Sequence, residues 1–352
     1  MRYLAVCLLG ILLLGCTPSP VDDPLADFNK IDYAKPQKTF EGIKLYNPTT
    51  VLIKDSLGIF WDWNGENYLT CYDLKQQKAI CAFGKKGNGP GEILRPFRLD
   101  WNRNKSEVDV YVIELNQIHS YQLKDLVDSV IVDRKQKVKP TKANFRSAIY
   151  INDSLVMGEG YFFGCENRFG LYNLKSKKFT GFAQYPEDDH PETISIFKSS
   201  AYQCILMKHP SKEFVLAANG YSPMFDIIDV STQKIIHKRH YKYPDYVPPA
   251  SNEYTGKISV PIKRTNIDGF AGVDVTEEKI YMLFSGRTYE EYKDRCQYGN
   301  FILVYDWEGN PLKAYQVDLD LKSIAVDEKL NRIYAIAVDD EYTSKLVQYS
   351  LN

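Results

Sequence analysis

The sequence has no apolar run long enough to cross a bilayer as a helix. The run at residues 3–14 has about a dozen residues, whereas a transmembrane helix needs about 20. Arg2 precedes this run, and a short apolar stretch behind a cationic residue at an N-terminus is typical of a cleaved secretion signal. We therefore predict an exported protein with a signal peptide at residues 1–15.

Familiar catalytic and metal motifs are also missing. The five histidines do not have the spacing of a metal site. Neither the Gly-x-Ser-x-Gly of hydrolases nor the Asp-x-Asp-x-Asp-Gly of calcium loops occurs. The net charge is −1 with both signs interspersed, which gives no reason to expect nucleic-acid binding. We therefore name no catalytic residue and favour a function other than catalysis.

Residues 13–16, Leu-Leu-Gly-Cys, resemble the lipobox of bacterial lipoproteins, where the chain is cut before the cysteine and then acylated. By this resemblance Cys16 is the lipidation site, and the polar, proline-bearing residues 16–37 are a flexible tether. Thr17 after the cysteine, by resemblance to enterobacterial lipoproteins, indicates an outer-membrane anchor in the cell envelope, on its periplasmic or surface side. The alternative is an ordinary secretion signal with an incidental cysteine.

Five of the seven cysteines remain once Cys7 and Cys16 are assigned to the signal and the anchor, so at least one thiol cannot pair within a single chain. Disulfides can form outside the cytoplasm. Cys71 and Cys81 are the best candidates for a disulfide, because a turn at residues 75–77 would place them opposite each other on adjacent strands. Two buried free thiols explain the pattern equally well.

A four-residue segment of similar sequence, which we call the recurring phrase, occurs six times at the end of an apolar strand. Two of its copies are Cys-Tyr-Asp-Leu and Leu-Tyr-Asn-Leu. Its copies lie at residues 71–74, 120–123, 171–174, 227–230, 304–307 and 348–351. A strand–turn–strand pair precedes each copy, and a short polar turn with a further strand follows five of them. The chain thus holds units of four strands, a to d, repeating about every 50 residues, which is typical of β-propeller blades.

The sixth unit lacks a strand d, because its phrase ends at Leu351. Residues 38–46 form a spare strand ahead of the first unit, and adding it to the sixth would close the ring without an exposed edge. We predict an all-β fold over residues 38–352: a six-bladed β-propeller of four-stranded antiparallel blades, with the last blade closed by the N-terminal strand.

The glycine-rich stretch at residues 83–96 lies between the first two units. No Gly-Lys-Ser/Thr follows it, and its proline argues against the helix N-terminus that a dinucleotide-binding loop needs. It resembles the blade-to-blade segment of TolB-like and NHL-like six-bladed propellers, especially the lipoproteins of that type in Bacteroidetes, through Phe83, Gly84, Gly87, Gly89, Pro90, Gly91, Glu92 and Pro96. The resemblance implies that this segment is a connector.

In a propeller the b–c loops and the d–a links share one face. Here the a–b and c–d turns are short, whereas the b–c loops are longer and richer in aromatic and charged residues, which marks their face as the working one. Aromatic rings and planar bidentate donors serve carbohydrate and peptide recognition. The ligand-binding candidates are Trp63, Glu66, Glu114, Asn116, Tyr161, Glu166, Asn167, Arg168, Asn219, Tyr221, Arg287, Tyr289, Arg295 and Asp340.

These loops suit two functions. The first is a binding or scaffold module, without a cofactor, that presents this face to a glycan, a peptide or another envelope protein. The alternative is a calcium-dependent hydrolase, since six-bladed relatives that cleave lactones or phosphoesters hold calcium with acids and amides at the channel mouth. Such a ring of oxygen ligands would come from Glu66, Asn116, Asn167, Asn219 and Asp340. If the loop aromatics only pack against one another and the charged side chains are only solvated, they support neither of these functions. We favour the binding module.

Overall fold

The computed structural model of the chain describes residues 23–63, 65–89, 92–102, 105–141, 143–251 and 259–351. The predicted signal peptide, the lipidation site Cys16, and Pro90 and Gly91 of the glycine-rich segment lie outside these residues. No helix in the described ranges is long and apolar enough to span a bilayer. Most of the described chain is strand, as predicted.

Two short strands precede the first sheet: β1 (Ile31–Ala34) and β2 (Lys38–Thr39). The first sheet contains β3 (Pro48–Lys54), β4 (Leu57–Asp62), β5 (Asn67–Asp73) and β6 (Lys78–Lys86), with β7 (Glu92–Ile93) parallel to β6 at its edge. The second contains β8 (Pro96–Asn102), β9 (Glu107–Val112), β10 (Gln117–Gln122) and β11 (Arg134–Lys137).

The third sheet contains β12 (Ala143–Tyr150), β13 (Leu155–Phe162), β14 (Asn167–Asn173) and β15 (Phe179–Gln184). The fourth contains β16 (Cys204–Lys208), β17 (Phe214–Asn219), β18 (Met224–Asp229) and β19 (Lys234–His240). Within each of these four sheets the successive strands β3–β6, β8–β11, β12–β15 and β16–β19 are antiparallel neighbours. The prediction of four-stranded antiparallel sheets is therefore confirmed.

The rest of the chain forms one larger sheet from β20 (Phe270–Val275), β21 (Lys279–Phe284), β22 (Gly299–Asp306), β23 (Pro311–Asp327), β24 (Arg332–Val338) and β25 (Ser344–Ser350). The long strand β23 joins two units: its first part pairs with β22 and its second part with β24. It is therefore both strand d of the fifth unit and strand a of the sixth. We number these repeating sheets units 1 to 6.

Helices occur only as short pieces in the described connections. They are α1 (Leu123–Val127) between β10 and β11, α2 (Ser195–Ala201) between units 3 and 4, and α3 (Tyr289–Tyr292) between β21 and β22. A 3-10 turn at Lys293–Gln297 follows α3, and two others lie at Pro24–Asp27 and Glu328–Leu330. Two of these helices therefore lie on the side of the b–c loops and d–a links.

The first strands of the six units form a ring. β3 contacts β8, β8 contacts β12, β12 contacts β16, β16 contacts β20, β20 contacts β23, and β23 returns to β3. The innermost strand of every unit thus faces a common centre. Side chains that are far apart in the sequence meet there.

The six recurring phrases end the third strand of the six units, as predicted: β5, β10, β14, β18, β22 and β25. In four units the third residue of the phrase is an Asp or Asn whose side chain caps the turn that follows. Asp73, Asn173 and Asp229 each accept backbone N–H bonds two and three residues further on, and Asp306 accepts from residues 308 and 310. Such side-chain caps favour a turn over continued strand, so the phrase specifies both a strand and its end.

The apolar core is divided into clusters that lie between consecutive units. Units 1 and 2 share a cluster that includes Ile59 and Val110, and units 4 and 5 share one that includes Phe225 and Phe270. The cluster between units 6 and 1 joins Leu346 to Phe60. Because each sheet is covered on both faces, its middle strands can be nearly continuous apolar runs rather than alternating ones, as in β24.

The predicted spare strand at residues 38–46 is shorter than expected. Only β2, Lys38–Thr39, is strand; it pairs antiparallel with Val347 and Gln348 of β25. After it the chain turns, and Phe40, Ile43 and Leu45 enter the cluster between units 6 and 1. Burial of these three side chains replaces the further strand pairing that was expected for residues 40–46.

The predicted flexible tether, residues 16–37, is wrong for its second half. β1 adds a parallel strand to β23, with Ile31 opposite Ala314. Phe28 packs edge-on against Tyr305, with ring centroids 5.3 Å apart, and Asp27 accepts a hydrogen bond from the Tyr241 hydroxyl. The packing of Phe28 and the part-buried hydrogen bond of Asp27, which the polar composition did not indicate, hold this segment against unit 5 and the link that precedes it.

Phe28→Ala should therefore destabilise the whole domain. Phe28 is only half-buried, so we expect the free energy of unfolding in urea to fall by about 1–2 kcal/mol, less than the ~3–5 kcal/mol of a fully buried phenylalanine. Tyr33→Ala is the matched control, because Tyr33 is 60% exposed in β1 and should change stability by less than about 0.5 kcal/mol. Equal stability of Phe28→Ala and wild type would show that the segment contributes nothing.

Candidate functional site at the channel mouth

An irregularity recurs near the start of strand a. The register shifts there in five of the six units, and the residue inserted at each shift is Thr49, Phe97, Arg146, Ala271 or Lys322. In unit 4 the described pairing of β16 with β17 is continuous. A β-bulge redirects side chains and is common beside functional sites. These bulges alter which side chains the innermost strands present at the centre of the ring.

A cavity of about 340 Å³ lies at this place, on the side of the b–c loops and d–a links. We call it the channel-mouth cavity. It is lined by Phe97, Arg98, Ser147, Glu159, Gln203, Cys204, Ile205, Gly220, Tyr221, Asp268, Gly269, Phe270, Ala271, Ser285, Cys296 and Gln297. A second cavity of about 140 Å³ shares Phe97, Arg98, Ile205 and Ala271 with it and runs along strands a of units 1, 2, 4, 5 and 6. Units 2 to 5 thus build the mouth of a central channel.

Glu159 is the most unusual group in the channel-mouth cavity. Its side chain is almost fully buried, at 2% exposure. Its Oε2 lies 3.7 Å from Nη1 of Arg146, while its Oε1 has no hydrogen-bond partner among the described residues. Burial raises the pKa of Glu159 to about 7, although Arg146, Arg168 and Arg98 favour its charged form.

Asp268 is a second buried acid of the cavity. It accepts a hydrogen bond from Nδ2 of Asn266 at 3.2 Å, and burial raises its pKa to about 6. Arg98 supplies positive charge: its Nη2 donates to the carbonyl of Leu206, its Nε is unpartnered within the described ranges, and burial lowers its pKa. The cavity therefore combines two acids and a guanidinium in a setting of low solvent access.

The sequence did not reveal these groups, because the candidates were sought in the b–c loops, whereas Arg98 and Glu159 lie on strands and Asp268 lies just before one. Two signals could have found them. Phe-Arg occurs near the start of strand a in both unit 2 and unit 3, at residues 97–98 and 145–146. The second signal is Glu159, which interrupts an apolar strand between two glycines. A Cβ on Gly160 would lie 2.2 Å from the carbonyl oxygen of Asn144. Glycine is therefore needed where β13 passes the bulge of β12.

The predicted site residues are scattered by comparison. Those exposed at the surface are Trp63, Glu66, Glu114, Glu166, Tyr289 and Asp340. Those half-buried are Tyr161, Asn167, Tyr221, Arg287 and Arg295, and those buried are Asn116, Arg168 and Asn219. Among these fourteen, only Tyr221 lines the channel-mouth cavity.

Arg168 is not a loop base open to a ligand, and that prediction is wrong. It is 1% exposed, its Nη1 forms an ion pair with Asp226, and its Nη2 donates to the sulfur of Cys204 at 3.2 Å. His240 Nε2 lies 2.8 Å from the other oxygen of Asp226. Burial alone would raise the pKa of Asp226, but Arg168 and His240 hold it below its ordinary value. This cluster joins units 3 and 4.

Two amides of the predicted calcium ring are used inside the protein. Asn116 takes a positive φ of 48° in the turn after β9, and its Oδ1 lies 3.4 Å from the Tyr111 hydroxyl. Asn219 is fully buried, and its Oδ1 accepts from the backbone of Tyr221 at 2.8 Å. Both side chains stabilise loops. In the described ranges no three His, Cys, Asp or Glu side chains are close enough to hold a metal ion.

Other predicted residues also bond within the protein. Glu166 accepts from the backbone N–H of Ser195 at the start of α2, at 2.9 Å, and Asn167 Oδ1 lies 2.8 Å from the sulfur of Cys165. Trp63 is 36% exposed and meets Tyr68 edge-on at 5.3 Å.

Arg287 and Arg295 do come together. Their guanidinium groups bind the two carboxylate oxygens of Asp320 at 2.6 and 2.9 Å, and Arg295 also covers the ring of Tyr342. This ion-pair cluster holds the long b–c loop of unit 5 against β23. The two arginines are therefore engaged with the protein itself.

Cys71 and Cys81 lie directly opposite each other on β5 and β6, the geometry from which a disulfide was predicted. Both are free thiols in this structure. Cys71 is fully buried, and Cys81 donates to the carbonyl of Leu126 at 3.2 Å.

The comparisons with known proteins agree with this architecture. The family model described as TolB-like 6-blade propeller-like matches residues 27–329. The chain belongs to this family. The predicted resemblance is thus confirmed, and the family supplies the count of six blades. A search of curated proteins found no match.

Two solved structures are similar to this TolB-like propeller. One is a protein of Bacteroides fragilis NCTC 9343 described as exported, with 11% identity and a TM-score of 0.51, covering 90% of this chain and 93% of that one. The other is the β-propeller domain of Cps50 (Swd1) from Myceliophteria thermophila, with 12% identity and a TM-score of 0.48, covering 91% and 100%. At such identities the first shows a shared fold alone, and no argument rests on the second.

Glu159→Gln should change how stability depends on pH. Because the folded-state pKa of Glu159 is raised from 4.5 to about 7, its contribution to stability is greatest below about pH 4.5 and is lost as the pH rises to about 7. The glutamine of the variant does not titrate, so the free energy of unfolding of the variant does not fall in this way as the pH rises. The difference in unfolding free energy, variant minus wild type, should therefore increase by up to about 3 kcal/mol over that range.

Urea unfolding at several pH values measures this difference. Glu66→Gln, which removes an exposed acid on the same face, serves as the control. Parallel pH profiles for Glu159→Gln and wild type would contradict the raised pKa of Glu159.

Proposed function

We propose that this TolB-like propeller is a lipid-anchored binding or scaffold module of the cell envelope, and that it binds a glycan, a peptide or an envelope protein at the channel mouth. The observation that carries the proposal is the channel-mouth cavity. Its volume of about 340 Å³ is within the range of ligand pockets, ~300–1,000 Å³.

The lining of the cavity supports binding. Phe97 and Tyr221 provide ring surfaces, and a small number of polar groups converge between them. Apolar walls with a few placed polar groups are what orient a ligand in a pocket. The longer b–c loops surround the same face, so a larger partner would find additional contacts there.

The alternative of a calcium-dependent hydrolase has less support. The predicted ring of calcium ligands included Asn116 and Asn219. The side chains of both form hydrogen bonds with neighbouring protein groups instead. Glu66 and Asp340 remain exposed. Nothing in their arrangement favours a shared cation over solvent, so binding without turnover is the better proposal.

The propeller is proposed to close through β2. The two residues Lys38–Thr39 pair with β25, and two backbone bonds extend the contact, from Gln37 N to Gln348 O at 2.7 Å and from Phe40 N to Leu346 O at 3.0 Å. This would cover the outer edge of unit 6.

The envelope location rests on residues 1–16, and the exported relative from Bacteroides fragilis is in keeping with it. If Cys16 carries the lipid, Cys16→Ala should shift the protein from the membrane pellet to the soluble fraction and abolish incorporation of a clickable palmitate analogue. Cys7→Ala is the control, because Cys7 lies within the cleaved segment. Unchanged labelling of Cys16→Ala would leave an ordinary secretion signal as the explanation.

Gly220→Trp should block ligand binding without unfolding the protein. A Cβ on Gly220 would meet only the carbonyl oxygen of Phe270, at 4.0 Å, so a large side chain has space to enter the channel-mouth cavity. A ligand that binds the folded state raises the melting temperature. We expect at least one member of a panel of oligosaccharides and short peptides to raise that of wild type and not that of Gly220→Trp.

The same panel includes calcium and a chelator, and the control variant is Glu278→Gln, which removes an exposed acid of an a–b turn on the opposite face. A shift produced by calcium and reversed by the chelator would favour the hydrolase. Shifts of equal size in wild type and Gly220→Trp would place the ligand outside the cavity and contradict the proposal.

A further inference from the structure

Three polar atoms of the channel-mouth cavity lack a hydrogen-bond partner within the described residues. They are Oε1 of Glu159, Oγ of Ser147 and Nε of Arg98. Each belongs to a side chain more than nine-tenths buried. A buried polar atom without a partner is costly for a folded protein, so three of them lining one cavity indicate groups kept available for a ligand.

The three groups occupy related positions in the fold. Ser147 and Glu159 are directly opposite each other on β12 and β13, and cross-strand neighbours have side chains within contact distance. Arg98 follows the bulge of β8 in unit 2 as Ser147 follows the bulge of β12 in unit 3. Neighbouring units thus place an acceptor, a hydroxyl and a donor at one end of the channel.

Charges of both signs line the cavity and its surroundings. Glu159 and Asp268 line it as acids, Arg98 lines it with Asp100 3.6 Å from its Nη2, and Arg146 lies beside Glu159. A cationic ligand would find the arginines, and an anionic ligand the two acids, so neither is favoured. A neutral ligand whose adjacent groups can both donate and accept hydrogen bonds satisfies all three unpartnered atoms.

Hydroxyl groups on neighbouring carbons have this property, and the ring faces of a sugar pack well on aromatic side chains. The walls of the cavity include Phe97 and Tyr221. Its volume of about 340 Å³ is near the lower end of ligand pockets, ~300–1,000 Å³, which suits a sugar unit rather than an extended chain.

We propose that the channel-mouth cavity binds a neutral sugar unit, with Glu159 and Ser147 holding one hydroxyl and Arg98 donating to an adjacent oxygen. This rests on the proposed function, a ligand-binding face at the channel mouth, and names its ligand class. The glycan is held by its terminal unit, since the cavity is open on the side of the b–c loops.

The test measures binding of small probes to the mature domain by isothermal titration calorimetry and saturation-transfer NMR. The neutral probes are the methyl glycosides of glucose, galactose and mannose. The charged probes are glucosamine, glucuronate and glycylglycine. We expect at least one methyl glycoside to bind more tightly than every charged probe.

Variants locate the bound sugar. Ser147→Ala removes one proposed contact. Glu159→Gln replaces the carboxylate by an amide, whose oxygen is a weaker acceptor and whose nitrogen only donates. Both change the volume little, and each should weaken glycoside binding at least tenfold. Asp109→Asn is the matched control: Asp109 is also a buried acid with a pKa raised to about 7 by burial, but it lines a crevice formed with the a–b turns of units 2 and 3. It should keep wild-type affinity. Circular dichroism and melting curves verify that each variant is folded.

The outcomes separate this inference from the proposed function. If a charged probe binds most tightly and Gly220→Trp abolishes that binding, the sugar is wrong while the binding face stands. If glycosides bind Ser147→Ala and Glu159→Gln as tightly as wild type, the sugar lies elsewhere and the inference is overturned. If no small probe binds wild type, the inference is also overturned, and the oligosaccharide and peptide panel with Gly220→Trp then decides the binding face.

Discussion

Burial of each sheet on both faces by its two neighbours is the constraint on which this structure depends. A four-stranded sheet with two apolar faces cannot shield itself from water. Each apolar face is instead covered by the next unit around the ring. The clusters between units 1 and 2, between units 4 and 5, and between units 6 and 1 show this. The contact between β23 and β3 completes this circle of first strands.

The same constraint concentrates chemistry at the centre. When first strands line a ring, a polar side chain in one of them faces polar side chains from other units and has little access to water. Arg98 and Ser147 illustrate this, and Glu159 reaches the same space from the second strand of its unit. The elevated pKa of Glu159 is a direct consequence, because burial penalises its charged form more than the nearby arginines favour it.

Two buried ionic clusters differ in how fully their carboxylates are bonded. Asp226 is bonded through both oxygens, to Arg168 and to His240, and ties unit 3 to unit 4. Glu159 has one oxygen near Arg146 and the other without a partner in the described part of the chain. A satisfied buried pair suits a structural role, whereas an open oxygen facing a cavity is available to a ligand.

Much of the fold followed from local sequence, while most of the site did not. The recurring phrase predicted the third strands of all six units, because an apolar strand that ends in a polar turn is a property of a few adjacent residues. The face bearing the cavity was also anticipated from the longer b–c loops, and Tyr221 was among its predicted residues. Arg168 was misplaced, because nothing adjacent to it in sequence indicates that Asp226 lies across from it in the next unit.

The sequence by itself determined the strands, their turns and their repetition, since these depend on contacts between residues close in the chain. Only the tertiary structure decided which polar groups are buried together. The approach of Arg98, Ser147 and Glu159 requires two neighbouring units, a bulge in each first strand and the glycines of β13 that admit one of those bulges. Those contacts join distant segments, and no local pattern encodes them.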